Sequence, residues 1–380
     1  MGTVKNWKKP VRAVLTALAA LLSCGLTAMM LYWSVLHVGN PIGSVQLEVP
    51  KVDLMAHYDK YMTNNISSAL DGVLAIEKVY WLNDSDPIAP KPDQSKFGTA
   101  TDPAQLQWLL DEAEELLAGQ TTRFSTDVKI LPGSTIHYYL DDTILSISWQ
   151  EGIGTAVFTF CEVKIAHASQ FRRFLADGEY GSDKQYYGTD MAVAVNAVAS
   201  SNGDFYKNRT YGSVIYNSEV YRVGSTLDVC CIDDQGEMLF VYRGQVNGQE
   251  AWEQYVKENN VRFSLTFGPI LVDDYQNVAP RKYPLGEVDR QYSRAGLGKL
   301  DQLHYLLVTA NYGPGYSEMM TIPEFADRMA SFGCEKAYAL DGGQTGIIAM
   351  NGQLMNRPDY GTQRTVSDIL YFATAIPEGE

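Results

Sequence analysis

From residue 126 onward the apolar residues come in short blocks bounded by turn signals, and no other feature constrains the fold as much. The blocks are 136–149, 155–165, 191–199, 212–221, 226–232, 238–242, 262–272, 303–309, 336–340, 347–350 and 369–373, rich in Val, Ile, Tyr, Phe and Thr. Such residues fit the pleated, half-buried surface of a sheet, so the blocks read as strands. Asp233-Asp234-Gln235-Gly236 and Asn351-Gly352 are typical of the turns between them. Only 168–176, 250–259 and 322–332 read as helices, the last with Thr321 as N-cap and Glu324 completing a capping box. Many strands with few helices predict an α+β domain built on a large mixed β-sheet, rather than regular βαβ winding.

Upstream the pattern changes. Residues 1–12 hold Lys5, Lys8, Lys9 and Arg12 and no acid, and Ala13 to Leu36 holds no charge at all. A helix over that stretch is ~36 Å long, enough to cross a bilayer core. The positive-inside rule then predicts a cytoplasmic tail 1–12, a transmembrane anchor 13–36 and everything after it outside. A cleaved signal peptide is the rival, disfavoured by the length of the stretch and by bulky Tyr32, Trp33 and His37 where small residues mark a cleavage site. Residues 37–125 read as a partly helical leader: a helix over 53–81, a connector with Pro87, Pro90 and Pro92, and a helix opened by Asp102, Pro103 and Gln105 and closed by Gly119. Residues 126–380 read as the main domain.

A hydrophobic content of 46% allows a sizeable core, and a net charge of −15 repels nucleic acid, so no nucleic-acid partner is expected. Cys161, Cys230, Cys231 and Cys334 read as buried free thiols, with Cys230 and Cys231 on opposite faces of one strand. The sequons at Asn65, Asn83 and Asn208 read as chance matches. The five His are scattered without metal-ligand spacing, no P-loop or dinucleotide fingerprint is present, and no cofactor is expected. Gly315-Tyr316-Ser317-Glu318-Met319 misses the last glycine of a nucleophile elbow, which disfavours a serine hydrolase.

The informative segments are polar, Gly-rich turns after apolar strands, where a sheet's mouth presents side chains and free amides. Asp341, Glu318, Asp204 and Asp368 are candidate carboxylates, and the first three are the candidate catalytic residues. Arg294, Arg357 and Arg364 are candidate phosphate partners, since guanidinium binds phosphate oxygens in a fork. Asn202, Ser317, Gln344 and Thr345 are candidate hydroxyl binders. Asp341 ends an apolar strand and precedes Gly342 and Gly343, which lets a ligand approach closely.

The order of these segments is specific. N-G-D-F-Y at 202–206, F-G-P-x-L-V at 267–272, S-R-x-x-x-G at 293–298, G-Y-S-E at 315–318, L-D-G-G at 340–343, N-G at 351–352, N-R-P at 356–358 and R-x-V-S at 364–367 resemble the phosphodiester glycosidase family over roughly residues 135–375. The leader resembles that of membrane-anchored bacterial members associated with exopolysaccharide. The resemblance implies hydrolysis of a sugar-1-phosphodiester bond in a cell-surface glycan, with Asp341, Glu318, Asp204, Asp368 and the turns at 342–345 around one cleft. The chain departs from the family at Ala310-Asn311-Tyr312, where an Asp-Gly-Arg run is common, and at Gln344-Thr345-Gly346. A glycan-binding module without turnover and a sugar-phosphate transferase are the alternatives.

Overall fold

The computed structural model describes residues 82, 86–117, 128–154, 156–285, 287–313 and 319–376. The expected anchor 13–36, the helix over 53–81 and the G-Y-S-E segment lie outside these residues. Among the described residues no helix is long and apolar enough to cross a membrane.

Among the described residues most strand blocks enter two stacked sheets. The larger has nine strands in the order 97–100, 136–140, 144–153, 156–165, 304–311, 294–301, 336–340, 270–273, 276–277. The smaller has five, in the order 353–354, 348–350, 199–202, 368–372, 171–175. Every strand pair among the described residues is antiparallel, so the expectation of a mixed sheet is corrected, while the sheet-rich α+β class holds. Antiparallel neighbours need only short turns, and the sequence supplies turn residues instead of crossover helices.

The inner faces meet in an aromatic core. Phe171, Tyr305 and Phe372 pack with ring centroids 4.6–5.3 Å apart, and Cys161, Leu307, Ile348 and Leu370 surround them. Outside the nine-stranded sheet lie α1 (Gln107–Leu116) and, in the same apolar cluster, the last of four α-helices among the described residues, α4 (Ile322–Ser331). Both capping boxes exist as read, Asp102 with Gln105 and Thr321 with Glu324. Outside the five-stranded sheet lies α2 (Gly188–Ala194), and α3 (Gln249–Glu258) covers a three-stranded sheet of 238–241, 229–233 and 261–265. The four cysteines are buried, and Cys230 and Cys231 enter different apolar clusters, as opposite faces require.

Three elements differ from expectation. The block 191–199 is not one strand: α2 covers its start, and the strand begins at Ala199 after Asn196 at φ 57°. A run that is apolar at every position but Asn196 has no clear period, so its packing on the sheet decides. The expected helix 168–176 is a 3-10 turn, Ala168–Gln170, followed by the strand Phe171–Leu175 that pairs with Asp368–Phe372. The strand Arg294–Asp301 was not anticipated, because Gly296 and Gly298 lower its propensity. A Cβ at 298 would lie 2.5 Å from the Cys334 sulfur, so glycine lets the segment after α4 lie directly on the sheet. The boundary read at 126 also divides this sheet, since strand 97–100 pairs with 136–140 and α1 packs in the same core.

Candidate active site

Strand 336–340 ends beside the start of strand 294–301, with Leu340 opposite Ala295. The turn that follows carries Asp341 into a cleft of about 400 Å³, whose wall includes Phe267, Tyr292, Arg294, Gly343 and Asp359. Three contacts fix the turn. Asn202 Nδ2 donates to the Asp341 carbonyl at 3.0 Å, and the Thr345 hydroxyl donates to the Gly342 carbonyl at 2.7 Å. A Cβ at 342 would sit 2.2 Å from the Ser293 carbonyl oxygen, so only glycine fits. The glycine pair read in the sequence is thus required by backbone packing.

Burial raises the Asp341 pKa above its ordinary value, while the Thr345 hydroxyl and the charges of Arg209 and Arg364 oppose the rise. Both guanidiniums lie over the ring of Phe205, Arg209 at 5.7 Å and Arg364 at 5.5 Å from its centroid. Arg209 also lies 4.0 Å from the Phe267 centroid, and its Nη1 is buried without a hydrogen-bond partner. Neither arginine ion-pairs with a carboxylate among the described residues. Phe205 itself lies in the left-handed region, φ 62°.

Behind this group lies a buried ion cluster. Arg173 Nη2 is 2.8 Å from both Asp204 Oδ1 and Asp368 Oδ2, and all three side chains are fully buried. Asp204 Oδ2 accepts from the Thr266 amide at 2.7 Å, and Asp368 accepts from the amides of Asp204 and Phe205. Burial pushes the Asp204 carboxyl up, Arg173 pulls it back, and the Asp368 charge pushes it again. Neither carboxylate is among the residues that line the cleft; both hold the Phe205 turn and the strands behind it.

The other anticipated residues divide. Asn202 is buried, and its amide joins the Asp341 carbonyl, the Gly203 carbonyl and the Ile347 amide, which makes it a positioning residue. Arg294 lines the cleft, but it donates to the carbonyls of Met320, Glu287 and Arg290, and burial lowers its pKa to about 10. Gln344 donates to Thr362 at 3.2 Å, and its carbonyl accepts from the Arg364 amide at 2.9 Å, so the turn positions Arg364. Arg357 is exposed beside Gly361. Ser317 and Glu318 lie outside the described residues.

Three residues were not anticipated: Arg173, Arg209 and Asp359. Arg173 stands in the segment misread as a helix, and Arg209 stands inside the sequon at Asn208. Asp359 follows the N-R-P segment directly. Its Oδ1 accepts from the Ser293 hydroxyl at 2.6 Å and from Asn311 Nδ2 at 3.4 Å, and Asn356 donates to Asn311 at 3.0 Å. The departure at 310–312 therefore places Asn311 as a partner of a cleft carboxylate. Among the described residues no group of three or more His, Cys, Asp or Glu is arranged to hold a metal ion.

Residues 195–373 match the phosphodiester glycosidase family model. The SPbeta prophage-derived uncharacterized protein YomE of Bacillus subtilis (strain 168) is 25% identical over 179 residues, 47% of this chain and 27% of that protein. The chain therefore spans about a quarter of the length of that curated relative. Among solved structures, the zebrafish N-acetylglucosamine-1-phosphodiester alpha-N-acetylglucosaminidase catalytic domain, auto-inhibited by its pro-peptide, has a similar fold. Its TM-score is 0.51 at 15% identity, over 61% of this chain and 84% of that one. A hypothetical protein from Synechocystis has TM-score 0.50 at 15% identity, over 65% of this chain and 64% of that one. Over residues 195–373 the chain is thus similar to the phosphodiester glycosidase family, the one that the order of its motifs implies.

Proposed function

We propose that the chain hydrolyses a sugar-1-phosphodiester bond in a cell-surface glycan or exopolysaccharide, from a domain anchored outside the cytoplasmic membrane by residues 13–36. One observation carries the reading of the chemistry. Asp341 has a raised pKa and faces the influence of two guanidiniums, Arg209 and Arg364, that share Phe205 and have no ion-paired carboxylate among the described residues. A buried guanidinium nitrogen without a partner is costly, and phosphate oxygens are the acceptors that its fork fits.

The chemistry follows from these groups. Arg209 and Arg364 hold the phosphate and offset the charge that grows on it as the C1–O bond breaks. Asp341, inclined by burial to keep its proton, donates it to the leaving oxygen. Asp359, oriented by Ser293 and Asn311, takes a proton from the water whose oxygen bonds to C1. Glu318 is the further candidate for that second role. The products are a free sugar and a phosphate monoester.

The departure at 310–312 favours the rival, a binding module without turnover, and one assay separates the two. The chain is incubated with a panel of sugar-1-phosphodiesters and free sugar is measured. Release from at least one supports hydrolysis; binding without release from any supports the rival.

A further inference from the structure

Three exposed tyrosines adjoin three members of one hydrogen-bonded cluster. Tyr292 precedes Ser293, Tyr312 follows Asn311, and Tyr360 follows Asp359, while Ser293 and Asn311 both donate to Asp359. Their relative exposures are 38, 44 and 91%. Chain neighbours lie ~3.8 Å apart at Cα, so the three residues lie near one place. That place is the Asp359 edge of the cleft, whose wall includes both Tyr292 and Asp359.

Tyr360 is the telling member. Its φ is 60°, in the left-handed region where a Cβ crowds the backbone and glycine is the usual residue. At 91% exposure its ring has almost no core contact, so folding gains little from an aromatic there. A position that is strained for a bulky side chain and yields no packing, yet holds a large flat ring, is explained by a contact made outside the chain.

We propose that Tyr292, Tyr312 and Tyr360 form a glycan subsite, on which pyranose rings beyond the scissile phosphodiester stack. The proposal rests on the phosphodiester reading above and deepens it by naming the residues that hold the glycan beyond the scissile bond. A tyrosine face suits the C–H face of a pyranose, and its hydroxyl reaches sugar hydroxyls. Continuity with the cleft selects a glycan as the occupant. A net charge of −15 disfavours an anionic lipid surface.

An array of immobilised neutral hexasaccharides and their monosaccharides tests this, probed with the full chain and with Tyr360→Ala, Tyr360→Phe and Tyr312→Ala. The full chain binds at least one hexasaccharide and not its monosaccharide. Tyr360→Ala lowers that binding about five- to tenfold, the scale of one lost ring contact, and Tyr360→Phe keeps most of it. An unchanged melting temperature for Tyr360→Ala shows that the loss is one of contact, not of fold. Retention of no hexasaccharide, or retention unaffected by both alanine variants, overturns the subsite. Binding to phosphatidylcholine vesicles that Tyr360→Ala abolishes also overturns it and assigns the rim to a lipid surface. The two readings fail separately. Sugar release without glycan binding removes the subsite alone, whereas glycan binding without release from any diester supports the subsite and removes the hydrolase.

Discussion

Asp341 is held between burial, which favours its neutral form, and Arg209 with Arg364, which favour its charged form. Burial prevails, and this sets a pH signature. At pH 3 the carboxyl is protonated in both folded and unfolded chains. As pH rises through the raised folded value, the folded chain must carry a buried charge that the unfolded chain carries in water, so stability falls. Asp341→Asn has no such loss. Its melting temperature therefore equals the wild type's near pH 3 and exceeds it at pH 7, in a thermal unfolding series over that range. Its turnover of a sugar-1-phosphodiester falls about 100-fold or more, because Asn has no proton to give. A melting temperature that drops along with activity returns Asp341 to a turn-capping role. Arg209→Gln acts differently: it removes a charged hydrogen-bonding partner of phosphate, so KM for the diester rises about tenfold or more. Inorganic phosphate loses potency as an inhibitor in step, and an unchanged KM moves the phosphate site away from Arg209.

The ion cluster behind the cleft belongs to the scale of elements. Arg173 comes from strand 171–175, Asp204 follows strand 199–202, and Asp368 opens strand 368–372. Arg173 also donates to the Ser264 carbonyl in strand 261–265, so one guanidinium joins the five-stranded and three-stranded sheets. Arg173→Leu leaves two buried carboxylates facing each other and costs about 3–5 kcal/mol in denaturant unfolding. Adding Asp204→Asn and Asp368→Asn removes the stranded charges and recovers part of that loss; no recovery argues that the cluster is not what joins the elements. Gly342→Ala tests the turn itself. Its Cβ meets the Ser293 carbonyl oxygen at 2.2 Å, and Ser293 orients Asp359, so both cleft carboxylates shift together. Turnover falls by more than stability, about 1–3 kcal/mol, accounts for.

At the scale of the whole molecule, the described residues lie within one compact unit. Strand 97–100 and α1 belong to its largest sheet and core, so a fragment that starts at 126 loses an edge strand and a covering helix. The full chain is expected to show one calorimetric transition for this unit, and a fragment from 126 a lower melting temperature. Two transitions in the full chain count against a single core. For the proposed anchor, protease added outside intact cells digests residues 40–380 and leaves residues 1–12 protected; full-length protein recovered from the soluble cytosol defeats that topology.

What the sequence determined by itself was whatever depends on neighbours in the chain. Strand-length apolar blocks, turn dipeptides and capping residues are local, and they foretold a sheet-rich α+β fold, both capping boxes and the Asp341-Gly342-Gly343 turn. The order of the motifs foretold the family. Tertiary structure decided whatever depends on partners distant in the chain. The segment 191–199 has no clear period, so its helix was settled by the sheet beneath it. Asp204 and Asp341 look alike in sequence, each a carboxylate in a Gly-containing turn after a strand. One meets Arg173 from 31 residues away and is sealed in the core; the other opens into the cleft. Arg209 and Asp359 were hidden for the same reason: a buried guanidinium nitrogen left without a hydrogen bond, and a carboxylate held by two distant donors, are properties of packed space, which no local pattern of residues records.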